Sequence, residues 1–93
     1  MYKRQAYNDG LVTRLVEDDA LDETTIEIAE KLANGPPISL RIIRQSIWAA
    51  LDSSFPEQLA RERDEQRTAG RTEDFIEGVA AFREKRTAKF QGK

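Results

Sequence analysis

Thr72-Glu73-Asp74-Phe75-Ile76-Glu77-Gly78-Val79-Ala80-Ala81-Phe82-Arg83-Glu84-Lys85-Arg86 decides how this chain is read. Phe75, Val79 and Phe82 recur at spacings of four and three, with Ile76 and Ala80 beside them, which is the stripe of an amphipathic helix. Thr72 stands where a side-chain oxygen can cap the first turn, and Glu73 and Asp74 meet the positive end of the helix dipole. Positive charge gathers at the other end: Arg83 through Lys93 holds five basic residues against Glu84 alone. A basic end of that kind suits a phosphate, an anionic surface or the helix's own C-terminal dipole. Gly78 inside the helix costs about 1 kcal/mol relative to alanine, so close packing is expected there.

Three further helices can be read upstream. Ser54-Phe55-Pro56-Glu57 has the spacing of a capping box and opens a helix to about Ala69, almost wholly polar after Leu59 and Ala60. Before it, Leu40, Ile43, Ile47 and Leu51 recur at helical spacing from about Pro37 to Asp52, widened by Ile38, Ile42 and Trp48. This helix is expected to be the most buried element, with Trp48 in the core rather than facing a partner. Asp19 or Asp22 caps a helix to about Ala33, and Asn34-Gly35-Pro36-Pro37 stops it, with a left-handed cap expected at Gly35. The β-branched run Gly10-Leu11-Val12-Thr13-Arg14-Leu15-Val16 follows an Asn8-Asp9-Gly10 turn signal and reads as one short strand. It finds no second strand in the chain, which hints at a missing neighbour on its N-terminal side. The expected fold is mainly α: an unstructured start over 1–9, one strand over 10–18, then four amphipathic helices over 19–93.

Composition bounds the rest. With 93 residues, 34% of them charged, and a mean hydropathy of -0.67, the chain has little to bury. Net charge is -2 but uneven, since Glu17 through Glu30 holds seven acidic residues and no basic one. The absence of cysteine and histidine removes disulfides, thiolate and imidazole catalysis and most zinc sites. No apolar run approaches the ~20 residues of a membrane span, so a soluble, cytoplasmic molecule with no membrane partner is expected. Carboxylates cluster, as Glu62 with Asp64 or Glu65 and Asp18 with Asp22, but in polar stretches where nothing tunes them for proton transfer. No catalytic residue and no metal ligand is therefore assigned. Phe82, Lys85, Arg86, Lys89 and Phe90 give a faint version of a basic and aromatic nucleic-acid pattern, against which the net acidity argues.

Several segments, in order, resemble the crotonase family of enoyl-CoA hydratases and isomerases. Gly10-Leu11-Val12 with Leu15-Val16 resembles the last strand of that family's core. Ala29 to Leu51, including Ala33-Asn34-Gly35-Pro36-Pro37, resembles the start of its helical C-terminal region. Leu51-Asp52-Ser53-Ser54, Glu57-Gln58-Leu59, Glu62 and Gln66 continue it, and Leu51 to Gln66 leans toward isomerase-like relatives. Asp74-Phe75, Glu77-Gly78, Ala81-Phe82, Glu84-Lys85-Arg86 and Phe90 close it. The resemblance spans about Ala6 to Lys93 and rests on order and spacing together.

What the resemblance implies is a parent enzyme acting on acyl-CoA thioesters, as in fatty acid metabolism, with no covalently bound cofactor. Backbone N–H groups and carboxylates of a larger core would stabilise the enolate, and those parts would precede Gly10. The helices of 19–93 would build a homo-oligomer, a trimer or hexamer in the parent, and cap the coenzyme A site. Phe82 and Lys85 match by position the family's aromatic and basic residues near the adenine and the phosphates. Phe82 can equally be core, and Lys85 a solvated partner of the helix dipole. The alternative is a helical oligomerisation or docking module without chemistry.

Overall fold

The structure, a computed structural model, describes residues 2–93 and divides into two compact units, one up to Lys31 and one from Leu32 on. The first begins with helix α1, Tyr2–Asn8, where an unstructured start was expected. The Asn8-Asp9-Gly10 signal is real but closes this helix. Gly10 takes φ +76, its N–H donates to the Tyr7 carbonyl at 3.1 Å, and the Leu11 N–H donates to the Ala6 carbonyl at 2.9 Å. That pair of bonds is the Schellman cap, which uses glycine because a left-handed backbone costs it nothing.

The strand expected over 10–18 does not form. Residues 11–17 are irregular, and Leu11 is 81% exposed. A strand leaves its N–H and C=O groups unpaired until a neighbour supplies a ladder, and none of the described residues does. The chain is all-helical among its described residues. A 3-10 turn at Asp18–Ala20 leads into α2, Leu21–Ala33, with Asp22 and Glu23 in its first turn and Lys31 in its last. Glu27 accepts from Lys31 at 2.5 Å and from Arg14 at 3.1 Å. Both are exposed pairs of small stabilising value.

The second unit holds α3 (Pro37–Ala50), α4 (Phe55–Ala69) and α5 (Glu73–Glu84). Gly35 does not supply the left-handed cap expected of it. Its N–H donates to the Leu32 carbonyl at 3.1 Å, and only Gly10 and Gly92 among the glycines have positive φ. Pro36 in extended backbone and Pro37 in the first turn then start α3. The α4 capping box forms as read, with the Glu57 N–H donating to Ser54 Oγ and the Ser54 N–H to Glu57 Oε2. α3 packs on α4, and Gln58 Nε2 donates to Ser46 Oγ across them at 2.9 Å.

Very little of this is core. Ala81 and Asp74 alone among the described residues are fully buried. α3 is not the most buried element: Trp48 is 66% exposed and Leu51 72%, with Ile43 and Ile47 also exposed. Trp48 is therefore not a core residue of this chain. The helical period was read correctly, but periodicity shows which residues share a face and not what covers it.

Candidate functional site

The best-defined polar constellation lies at the end of the chain. Thr72 caps α5 as the sequence suggests, accepting from the Phe75 N–H at 3.0 Å. The helix ends on Lys85, at φ 54 and ψ 40. The Lys85 N–H donates to the Phe82 carbonyl at 3.3 Å, and the Arg86 N–H donates to the Ala81 carbonyl at 3.0 Å. This is the bonding that Gly10 completes at the end of α1, with lysine in place of glycine. A left-handed residue with a Cβ costs about 1 kcal/mol or more, so the surroundings must impose it.

Arg86 imposes it. Its guanidinium grips both oxygens of Glu77, at 2.6 and 2.9 Å, while its Nε donates to Glu84 Oε2 at 2.5 Å. Glu77 Oε1 also accepts the backbone N–H of Lys89 at 2.7 Å. One turn earlier, Asp74, 4% exposed, accepts the N–H groups of Gln91 at 2.7 Å and Gly92 at 2.8 Å. The Asp74 N–H donates to the Lys93 carbonyl at 3.1 Å. Partner numbers fall from 77 to 74 as tail numbers rise from 86 to 93, so the tail runs back antiparallel along α5. The Phe90 ring lies over Gly78, supplying the packing expected there. A methyl on Gly78 would meet that ring at 3.5 Å, ordinary contact, so alanine would also fit.

The Arg86 guanidinium first, and the Lys89 N–H second, hold the Glu77 carboxyl at about 2, down from an ordinary 4.5. A carboxylate depressed on folding adds stability that is whole above its unfolded pKa and is lost as pH falls through the folded one. The Glu77 grip should therefore be intact above pH 4.5 and weaken toward about 2. The Lys89 amide proton, followed by NMR through an acid titration, should report a midpoint near the lower value. A midpoint near 4.5 would show that the grip does not hold in solution.

Phe82 and Lys85, the residues singled out for cofactor contact, are one turn apart and both exposed, Phe82 by 85%. Exposure removes Phe82 from the core of this chain. It stands beside an open groove of about 440 Å³ bounded by Pro36, Ser39, Phe75, Val79 and Phe90. Asp74 was read only as a helix-dipole charge and part of the family-like pattern, and Glu77 only as part of that pattern. The signal that could have found them is their i, i+3 spacing on one helix face, followed by a tail rich in N–H donors and cations. Among the acidic pairs elsewhere, Asp64 is held below its ordinary range chiefly by its bond from Arg63. No group of histidine, cysteine or carboxylate side chains among the described residues could hold a metal ion. Nor is any described helix long and apolar enough to cross a membrane.

The profile of the family described as "Enoyl-CoA hydratase/isomerase" matches residues 1–93. The chain is 42% identical over 89 residues to the 1,2-epoxyphenylacetyl-CoA isomerase of Escherichia coli K12, covering 96% of this chain and 34% of that protein. It is 32% identical over 90 residues to the 2,3-dehydroadipyl-CoA hydratase of the same organism, covering 97% of this chain and 35% of that protein. Among solved structures, an enoyl-CoA hydratase from Bacillus anthracis superposes with a TM-score of 0.88 at 34% identity, covering 97% of this chain and 35% of that one. The chain thus spans about a third of the length of the relatives it matches. A profile that matches from the first residue to the last, with a matching fold and order of motifs, leads to one conclusion: the chain belongs to the enoyl-CoA hydratase/isomerase family.

Proposed function

We propose that this chain supplies the C-terminal helical part of an enoyl-CoA hydratase/isomerase-like protein that acts on acyl-CoA thioesters. In that role it contributes oligomer contacts, in a trimer or hexamer, and part of the coenzyme A site. One observation carries the reading. A large aromatic, Phe82, is left 85% exposed one turn before a lysine held in a costly left-handed cap. An aromatic face suits an adenine ring, and an ammonium suits a phosphate. The exposed apolar residues of α3 support the oligomer half of the proposal, since Trp48 and Leu51 need a cover that this chain does not provide. Proton transfer and oxyanion stabilisation are assigned to the remaining two-thirds of the protein and to no residue here.

A chimaera tests this, in which the chain replaces the matching third of the Escherichia coli 1,2-epoxyphenylacetyl-CoA isomerase. It should assemble as an oligomer and bind coenzyme A. Lys85→Glu should weaken that binding by about tenfold at low salt and less at high salt, because screening weakens exposed charge pairs. Phe82→Ala should weaken it while changing stability by no more than about 0.5 kcal/mol, as for an exposed side chain. Assembly with coenzyme A affinity untouched by either substitution would leave only the second reading, a helical oligomerisation or docking module. The exposed Trp48 is the observation that favours it.

A further inference from the structure

The two carboxylates that hold the tail form a device that the coenzyme A reading does not by itself require. We infer that Glu77 is a positioning residue: by gripping the Arg86 guanidinium and the Lys89 N–H together, it keeps Lys85 in its left-handed cap and so presents the Lys85 ammonium, beside Phe82, as a preformed contact for a phosphorylated nucleotide. The inference rests on the reading of Phe82 and Lys85 as coenzyme A contacts, and names what sets their geometry.

Three observations converge. Lys85 is the one residue other than glycine with positive φ among the described residues, and it is one of the two residues assigned to the ligand. A backbone conformation that lysine does not favour persists only where its neighbours over-determine it. Here the neighbours are identifiable. Arg86, the next residue, is fixed by a bidentate bond to Glu77 and a third bond to Glu84. Four residues after Lys85, the Lys89 N–H is fixed to the same Glu77 carboxylate. One side chain thus anchors the chain on the far side of the strained residue at two points.

The charge arrangement fits the same end. Arg86 is neutralised by Glu77 and Glu84, whereas Lys85 forms no ion pair with the described residues. Glu77 therefore engages the fork-shaped cation in structure and leaves the Lys85 ammonium for the ligand. A flexible tail would have to be ordered at the moment of binding, and a tail already docked avoids that entropic cost.

The test uses the 93-residue chain, isotopically labelled, with coenzyme A itself as the probe at millimolar concentration. In the unsubstituted chain, a strong intraresidue Hα–HN NOE at Lys85 should report the left-handed φ, the Lys89 amide should be protected, and coenzyme A should shift Phe82 and Lys85. In Glu77→Gln, protection at Lys89 should fall, the Lys85 intraresidue NOE should weaken, and coenzyme A should bind several-fold more weakly. In a Lys85→Ala background, Glu77→Gln should weaken binding no further, because its effect runs through Lys85; a general loss of structure would add to the first loss. Should coenzyme A leave Phe82 and Lys85 unshifted in the unsubstituted chain, the reading of those two residues fails. If instead Glu77→Gln removes the protection of Lys89 and binding is unchanged, the contact is real and the positioning role is wrong. Additive effects of Glu77→Gln and Lys85→Ala would also overturn it.

Discussion

Replacing Asp74 by alanine should free the last residues of the chain and cost about 3–6 kcal/mol, the worth of two hydrogen bonds to a charged acceptor. Asp74 is the only fully buried charged side chain among the described residues, and both of its oxygens are engaged: Oδ1 by the Gln91 N–H, Oδ2 by the Gly92 N–H. Water cannot replace those bonds while the tail stays docked, so the tail must lift to satisfy the two amides. Lifting takes the Phe90 ring off Gly78 and the Lys93 carbonyl off the Asp74 N–H. Asp74→Asn keeps the shape and one acceptor oxygen, and should lose roughly half as much. Denaturant unfolding measures the total, and amide exchange at Gln91 and Gly92 measures the local release. Protection of those two amides that survives Asp74→Ala would mean that the backbone, and not the carboxylate, holds the tail.

The limits of the sequence follow from what each signal physically encodes. Local signals worked where the partner lies within one turn. Ser54 with Glu57, and Thr72 with the Phe75 N–H, form the caps their spacing suggests. Gly10 was rightly marked as a break, yet its left-handed φ serves equally a turn into a strand or the end of a helix. The seven residues of α1 carry no marked stripe that would have decided between them. Burial was the largest misreading. Leu51 and Trp48 sit on a correct helical stripe, but a stripe promises only a neighbour, and none of the described residues supplies one. The tail was illegible for a different reason. Asp74 binds 17 and 18 residues ahead through backbone N–H groups, which every residue but proline has, so no side-chain pattern advertises the partner. Phe82 and Lys85 were singled out only through family resemblance, as a proposal; nothing in the period of α5 separates Phe82 from the core.

Lys85→Gly should make the chain more stable and the assembled protein worse at binding coenzyme A. The two effects have separate causes at one residue. Glycine has no Cβ to clash in the left-handed region, so it relieves a cost of about 1 kcal/mol where lysine sits at φ 54. The Schellman bonds are made by backbone N–H groups of residues 85 and 86 and survive the change. The ammonium is lost, and with it the contact proposed for a coenzyme A phosphate, worth about tenfold in affinity. Lys85→Ala provides the control, because it removes the ammonium but keeps the Cβ, and so should bind as poorly as the glycine variant without its added stability. Denaturant unfolding of the chain and coenzyme A titration of the chimaera read the two effects independently. Equal stability of the glycine and alanine variants would show that the left-handed cap is not populated in solution. Unchanged coenzyme A affinity in both would show that this lysine takes its conformation for the sake of the tail alone. The predicted result, opposite signs from one substitution, is what a residue held in strain for a ligand gives and what a simple helix cap does not.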